Sequence, residues 1–220
     1  MLNTNHLVRS LAAVGLLVAA SASQATITVH TSLATFNTAV QNPGTDTYAG
    51  FSLDGQTFGP LNRTAGSYGY VATTEPNNAF YGAGSTANPW LSTNTAQDAI
   101  FFGGFTGGVA ALGANVFATN ISGAFTTGDI IFTATDADGT VSRTITGASL
   151  NSFLGFVSST GSLSSAFLIS VQPVGGGFIW PTVDNLVLGA AAAVPEPATY
   201  TLLVAGVGIV GFMARRRRAN

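Results

Sequence analysis

Cysteine is absent from the 220-residue chain, which removes disulfides, zinc–thiolate sites and thiol nucleophiles together. Lysine is absent too, and the basic residues are Arg9, Arg63, Arg143 and the run Arg215 to Arg218. Only 7% of residues are charged, against about a quarter in ordinary soluble domains. Between residues 26 and 194, Arg63 and Arg143 face Asp46, Asp54, Glu75, Asp98, Asp129, Asp136, Asp138 and Asp184, a net charge of −6. That balance argues against nucleic acid as a partner, because phosphate binding needs basic patches. Abundant Thr, Ser, Asn and Gly solubilise the chain in place of charge.

What the chain does have is two apolar ends. At the N-terminus Arg9 precedes an apolar run from Leu11 to Ala20, followed by small residues. This is the layout of a secretory signal peptide over residues 1–25, with cleavage expected after Ala22 or Ala25. His6 falls inside the removed segment, leaving His30 as the one histidine of the mature chain. Toward the C-terminus, Ala198 to Ala214 carries no charge. As a helix it would span about 25 Å at ~1.5 Å per residue, slightly short of a bilayer core of ~30 Å. Arginine side chains snorkelling to the headgroups make up the difference. Arg215, Arg216, Arg217 and Arg218 would hold that end in the cytoplasm. Gly206, Gly208 and Gly211 thin the run and permit close approach of another helix.

Pro195, Glu196 and Pro197 precede this run and form a conformationally restricted, extended element. VPEP, a short apolar helix and a terminal Arg cluster, in that order, resemble the PEP-CTERM sorting signal. The resemblance covers residues 194–218, within a C-terminal unit of 191–220. It implies an exported protein of an exopolysaccharide-producing Gram-negative bacterium, delivered by the general secretion machinery. It further implies recognition of Pro195-Glu196-Pro197 by an exosortase, a membrane enzyme with a cysteine-protease-like active site. The protein would cross the inner membrane and be transiently anchored there by its C-terminal helix. It would then pass to the cell surface or extracellular matrix.

Residues 26–190 read as one exported domain. Leu33, Phe36 and Val40 share a helical face behind Thr31 or Ser32 as a cap, which predicts a short helix after a first strand TITVH. At least nine further strand candidates follow, including DTYAGFSL, SYGYVAT, DAIFFG, VAALGANVFAT, DIIFTAT and GTVSRTIT. Short alternating runs with frequent turn signals predict a mainly β fold, an antiparallel β-sandwich of jelly-roll type. Asp138-Gly139 reads as a hairpin turn. Asp136 and Asp138 have the spacing of calcium ligands, but an EF-type loop needs further oxygens and a distal Glu. FFGGFTGG over 101–108 lacks the Lys-Ser/Thr ending of a phosphate loop and reads as a glycine-rich turn before a buried strand at Val109–Thr119.

Chemistry is sparse in this domain. No serine gains a base and an orienter except through His30, so serine-hydrolase chemistry is poorly supported. A glycosidase would need two acidic residues at a set separation, whereas most acids here sit beside Gly, Thr or Asn in turns. The aromatic residues Tyr68, Tyr70, Tyr81, Trp90 and Trp180 have two readings. They fill the sandwich core, the favoured reading for Trp180, or they offer flat rings to a sugar, with Trp90 the candidate because Asn88-Pro89 would present it from a loop. Thr35-Phe36-Asn37 and the closing VDNLVLG also resemble the jelly-roll domains common in PEP-CTERM proteins. In related sandwiches an early and a late acidic residue hold a structural calcium, which implies Asp46 and Asp184 here. No other cofactor and no catalytic residue is expected. The function expected is a non-enzymatic surface or matrix protein associated with exopolysaccharide in a biofilm. The alternative is an extracellular carbohydrate-active enzyme with the same sorting signal.

Overall fold

The computed structural model describes residues 27–159, 161–192 and 206–207. The expected signal peptide, Pro195-Glu196-Pro197 and Arg215 to Arg218 lie outside the described residues. Among those described, no helix is long and apolar enough to cross a membrane.

The chain opens with β1 (Ile27–His30) and then α1 (Leu33–Thr38), whose N-cap Ser32 accepts the Thr35 amide. The remaining elements between residues 40 and 191 are strands. They are β2 (Val40–Asp46), β3 (Gln56–Phe58), β4 (Leu61–Ala65), β5 (Tyr68–Glu75), β6 (Ala79–Ser85), β7 (Asn88–Thr93) and β8 (Ala99–Thr106). They continue with β9 (Ala111–Thr119), β10 (Phe125–Thr126), β11 (Gly128–Thr135), β12 (Thr140–Ala148), β13 (Phe153–Ser158), β14 (Ser165–Val171) and β15 (Trp180–Ala191).

They form two antiparallel sheets. One has nine strands in the order β1-β13-β9-β15-β7-β6-β3, with β10 beside β9 and β2 beside β15. The other has six, β12-β11-β14-β8-β5-β4. The sheets meet through their inward rings: Phe132 of the six-stranded sheet meets Phe156 of the nine-stranded one edge-on at 5.4 Å, and within the six-stranded sheet Phe102 packs edge-on to Phe132 at 6.3 Å. Burial of these rings supplies the main driving force for the pairing.

The outer face of the nine-stranded sheet is partly covered. Phe36 of α1, fully buried, packs there with Val40, Ala111, Phe153, Val157 and Val187. It can approach because Gly155 has no Cβ; one added there would overlap the Phe36 ring.

The structure changes several sequence expectations. The fold is richer in strands, because β3, β4, β6 and β7 run through a Gly-, Asn- and Thr-rich region that reads as loops. Most of FFGGFTGG is not a turn. Phe101 to Thr106 complete β8 between β5 and β14, and only Gly107 and Gly108 turn the chain. DTYAGFSL is not a strand either. β2 ends at Asp46, and Tyr48 takes a left-handed backbone (φ 55). The Asp138-Gly139 turn does join β11 to β12, with Asp136 Oδ1 accepting both turn amides.

Candidate functional site

Strand alternation puts a set of polar and aromatic side chains on the outer face of the nine-stranded sheet. Tyr81 of β6 is opposite Ser92 of β7, and Ser92 is opposite Thr182 of β15. Two residues back along β15, Trp180 is opposite Thr119 of β9. The hydroxyls form a fixed floor. Thr119 and Thr182 share a hydrogen bond of 2.8 Å, Thr182 Oγ1 donates to Ser92 Oγ at 3.0 Å, and Ser92 Oγ donates to the Pro181 carbonyl at 3.0 Å.

One wall is the connection between β9 and β10. Asn120 Oδ1 accepts the Ser122 amide, the Ser122 hydroxyl and the Ala124 amide at 3.0, 2.7 and 3.1 Å. Gly123, at φ 72, turns the loop so that its carbonyl accepts the Gly84 amide of β6 at 3.0 Å. The loop is thus tied down at both ends. Between it and the sheet lies an open groove of about 290 Å³, lined by Tyr81, Ser92, Asn94, Asn120, Ile121 and Trp180 among others. Trp180 is half-buried and its Nε1 donates to the Asn94 carbonyl at 3.3 Å. Tyr81 is 37% exposed and Ile121 84%. No carboxylate or cationic side chain lines the groove.

Trp90 is placed otherwise than the sequence suggests. It lies within β7, not in a loop, and its half-buried ring meets Phe117 edge-on at 4.9 Å. Gly84 makes room for the indole, which would collide with a Cβ at that position. Tyr68 and Tyr70 are buried in the core. Of the aromatic candidates, the groove collects Tyr81 and Trp180.

Asp46 and Asp184 are not brought together. Asp46 pairs in register with Leu186, whose side chain enters the core, whereas Asp184 shares the outer face with Thr182. A β-bulge at Asn185 (φ 50) interrupts the alternation between them and turns the two carboxylates to opposite faces. Asp46 has another partner: Arg63 grips it with Nε at 2.6 Å and Nη2 at 2.8 Å. Tyr70 Oη and the Tyr48 amide donate to it at 2.7 and 2.8 Å. A cation at Asp46 would have to displace that guanidinium. Among the described residues, no group of three or more His, Cys, Asp or Glu side chains could hold a metal.

The ionisable groups respond to these settings. Burial alone would raise the Asp46 pKa, but the hydrogen bonds from Arg63, Tyr70 and Tyr48 overcome it and hold the carboxyl below its ordinary range. Asp184 is shifted the other way by burial, only partly offset by the Asn185 amide and the Asn88 side chain. His30, its ring edge-on to Phe36, is pushed down by burial.

Comparison with known proteins places one feature. Residues 193–218 match the family of the PEP-CTERM protein-sorting motif, immediately after the last described residue of β15's C-terminal extension. No curated protein and no solved structure matches the chain. The motif implies export, transient anchoring of the C-terminus in a membrane, and processing by an exosortase.

Proposed function

We propose that this is a non-enzymatic surface or matrix protein that binds neutral stretches of exopolysaccharide through the Tyr81–Trp180 groove. Residues 1–25 serve as its signal peptide, the two-sheet domain is of jelly-roll type, and Ala198 to Ala214 is the transient membrane segment. The observation that carries the binding assignment is the composition of the groove: two aromatic rings, an aliphatic rim at Ile121, amides and hydroxyls. Sugars present apolar ring faces and many hydroxyls, which fit rings and uncharged polar groups respectively. Such a lining also favours binding over hydrolysis, because glycoside cleavage calls for a pair of carboxyl groups beside the bond.

Tyr81→Ala tests this. Tyr81 is the more exposed ring and makes no side-chain hydrogen bond among the described residues, so its removal leaves the fold intact. One ring contact contributes on the order of 1 kcal/mol, so retention of the mature protein on the host exopolysaccharide should weaken about fivefold. Unchanged retention would refute the groove as the site. Release of reducing ends from the polymer by the unaltered protein would favour the carbohydrate-active enzyme instead.

A further inference from the structure

β15 links the groove to the sorting motif. Trp180, in the groove, is its first residue and Ala191 its last of 12. The Ala192 amide donates to the Ala39 carbonyl at 2.8 Å, and only Ala193 and Val194 then precede Pro195. The strand covers about 35 Å at ~3.3 Å per residue, while the connection from Ala192 to Ala198, where the apolar run begins, reaches roughly 20 Å when fully extended.

The domain's first described residue emerges at the same end. Ile27 pairs with Ser158, the Ser158 amide donates to the Ala110 carbonyl, and the Ala110 amide donates to the Gly189 carbonyl. These residues form one row from β1 through β13 and the residue before β9 to β15, so Ile27 is about 14 Å from Gly189, three residues before Ala192, at ~4.8 Å per strand. The β11–β12 hairpin belongs to this end, since Ser158 Oγ donates to Asp136 Oδ2 at 2.8 Å. The groove, the 120–124 loop and the connection from β14 to β15 belong to the other.

We infer that the tail-anchored domain stands end-on to the bilayer, with the β11–β12 hairpin end next to the lipid surface and the groove held roughly the length of β15 away from it. The connection after Ala192 is shorter than β15, so this end of the domain is held the nearer of the two to the lipid. The hairpin carries one exposed basic residue, Arg143 of β12, beside the buried Asp136 and the exposed Asp138, so it is no basic patch for anionic headgroups and the stance comes from the connection. On the groove assignment above, the consequence is that polymer can be bound while the tail is still in the membrane. The sorting enzyme meets the opposite end of the domain from the one carrying the polymer.

The absence of cysteine makes the stance measurable. Ala137→Cys in the hairpin and Val174→Cys beyond β14 both place a thiol at an exposed position. Each full-length variant, carrying one fluorophore, is reconstituted through its tail into phosphatidylcholine vesicles bearing a headgroup nitroxide. Fluorescence at 137 should be quenched and that at 174 left unchanged. A flexible twelve-residue Gly-Ser insertion after Ala192 should abolish the difference. Equal quenching at both positions without the insertion, or a difference that survives it, would overturn the inference. Either outcome leaves the Tyr81→Ala retention assay standing, and failure of that assay leaves the stance standing.

Discussion

Replacing Asp46 by Asn removes the counter-charge from Arg63 while keeping the shape of the side chain. The carboxylate joins β2 of the nine-stranded sheet to Arg63 of β4 and Tyr70 of β5 in the six-stranded sheet. Breaking a buried ion pair from one side typically costs about 3–5 kcal/mol, because a desolvated charge is left behind. The Arg63 side chain is 20% exposed against 7% for Asp46, and its guanidinium lies over the Tyr48 ring at 5.0 Å. Partial solvent access and the ring contact place the cost at the low end, about 3 kcal/mol. In a domain of this size that lowers Tm by roughly 6–12 °C, measurable by calorimetry. The double variant Asp46→Leu/Arg63→Met, which leaves no unpaired charge, should recover most of the loss. The acid dependence has a fixed sign. The folded-state pKa of Asp46 lies below its ordinary value of 3.8, so its stabilisation is complete above that value and disappears as pH falls through the folded pKa. The gap between wild type and Asp46→Asn should therefore be full at neutral pH and close in strong acid. A gap under about 0.5 kcal/mol, within the range of ordinary surface substitutions, or one unchanged in strong acid, would refute this account of the cluster.

Trp90→Ala should act on stability, since the ring fills the space between Gly84 and Phe117. Half burial sets the loss near the lower limit for Trp→Ala in cores, about 3 kcal/mol, and denaturant unfolding showing a loss under about 1 kcal/mol would return the ring to the surface. Asp184→Asn should stabilise the domain at neutral pH. Burial raises the Asp184 pKa, so its charged form weakens the fold above that pKa and its protonated form does not. Urea titrations should show the gain near pH 7 and none in strong acid, and a loss near pH 7 would contradict the assignment.

Local chemistry made some of this structure legible. Ser32 and the spacing of Leu33, Phe36 and Val40 announce α1, and Asp138-Gly139 announces the β11–β12 hairpin, because both depend on neighbours within a few residues. The region from Gln56 to Thr93 conceals four strands, since its Gly and Asn residues are turn formers by intrinsic preference. Tertiary pairing overrides that preference where Ala65 of β4, Phe80 of β6 and Leu91 of β7 turn inward to full burial. Phe101 to Thr106 are similar: Gly104, at φ 57, sits where β8 and β5 slip in register, so the glycines serve an irregular strand instead of ending it. The implied calcium pair failed for a single-residue reason. The bulge at Asn185 cannot be seen by a reading of period two, and it alone decides that Asp46 and Asp184 face apart. The groove was legible only in part. The sequence offered Tyr81 and Trp180 as aromatics, but their meeting depends on β6, β7 and β15 lying side by side, far apart in the chain.

A groove without charge sets the character of whatever it holds. Ionic strength screens Coulomb attraction between exposed charges, and no carboxylate or cation lines this groove to be screened. Its strength must come from ring contacts and hydrogen bonds, with each ring worth on the order of 1 kcal/mol. Two rings fall well short of the several kcal/mol lost in immobilising two partners, so one groove on one short oligosaccharide binds weakly. A polymer changes this, because it repeats the same binding unit along its length and can engage many copies of the protein together. The low charge that keeps each contact weak thus suits a protein delivered in many copies to a continuous matrix. It suits poorly one that must capture a single soluble sugar. The same composition fits the proposed end-on stance: a domain with so little charge has no basic patch to draw it flat onto anionic lipid.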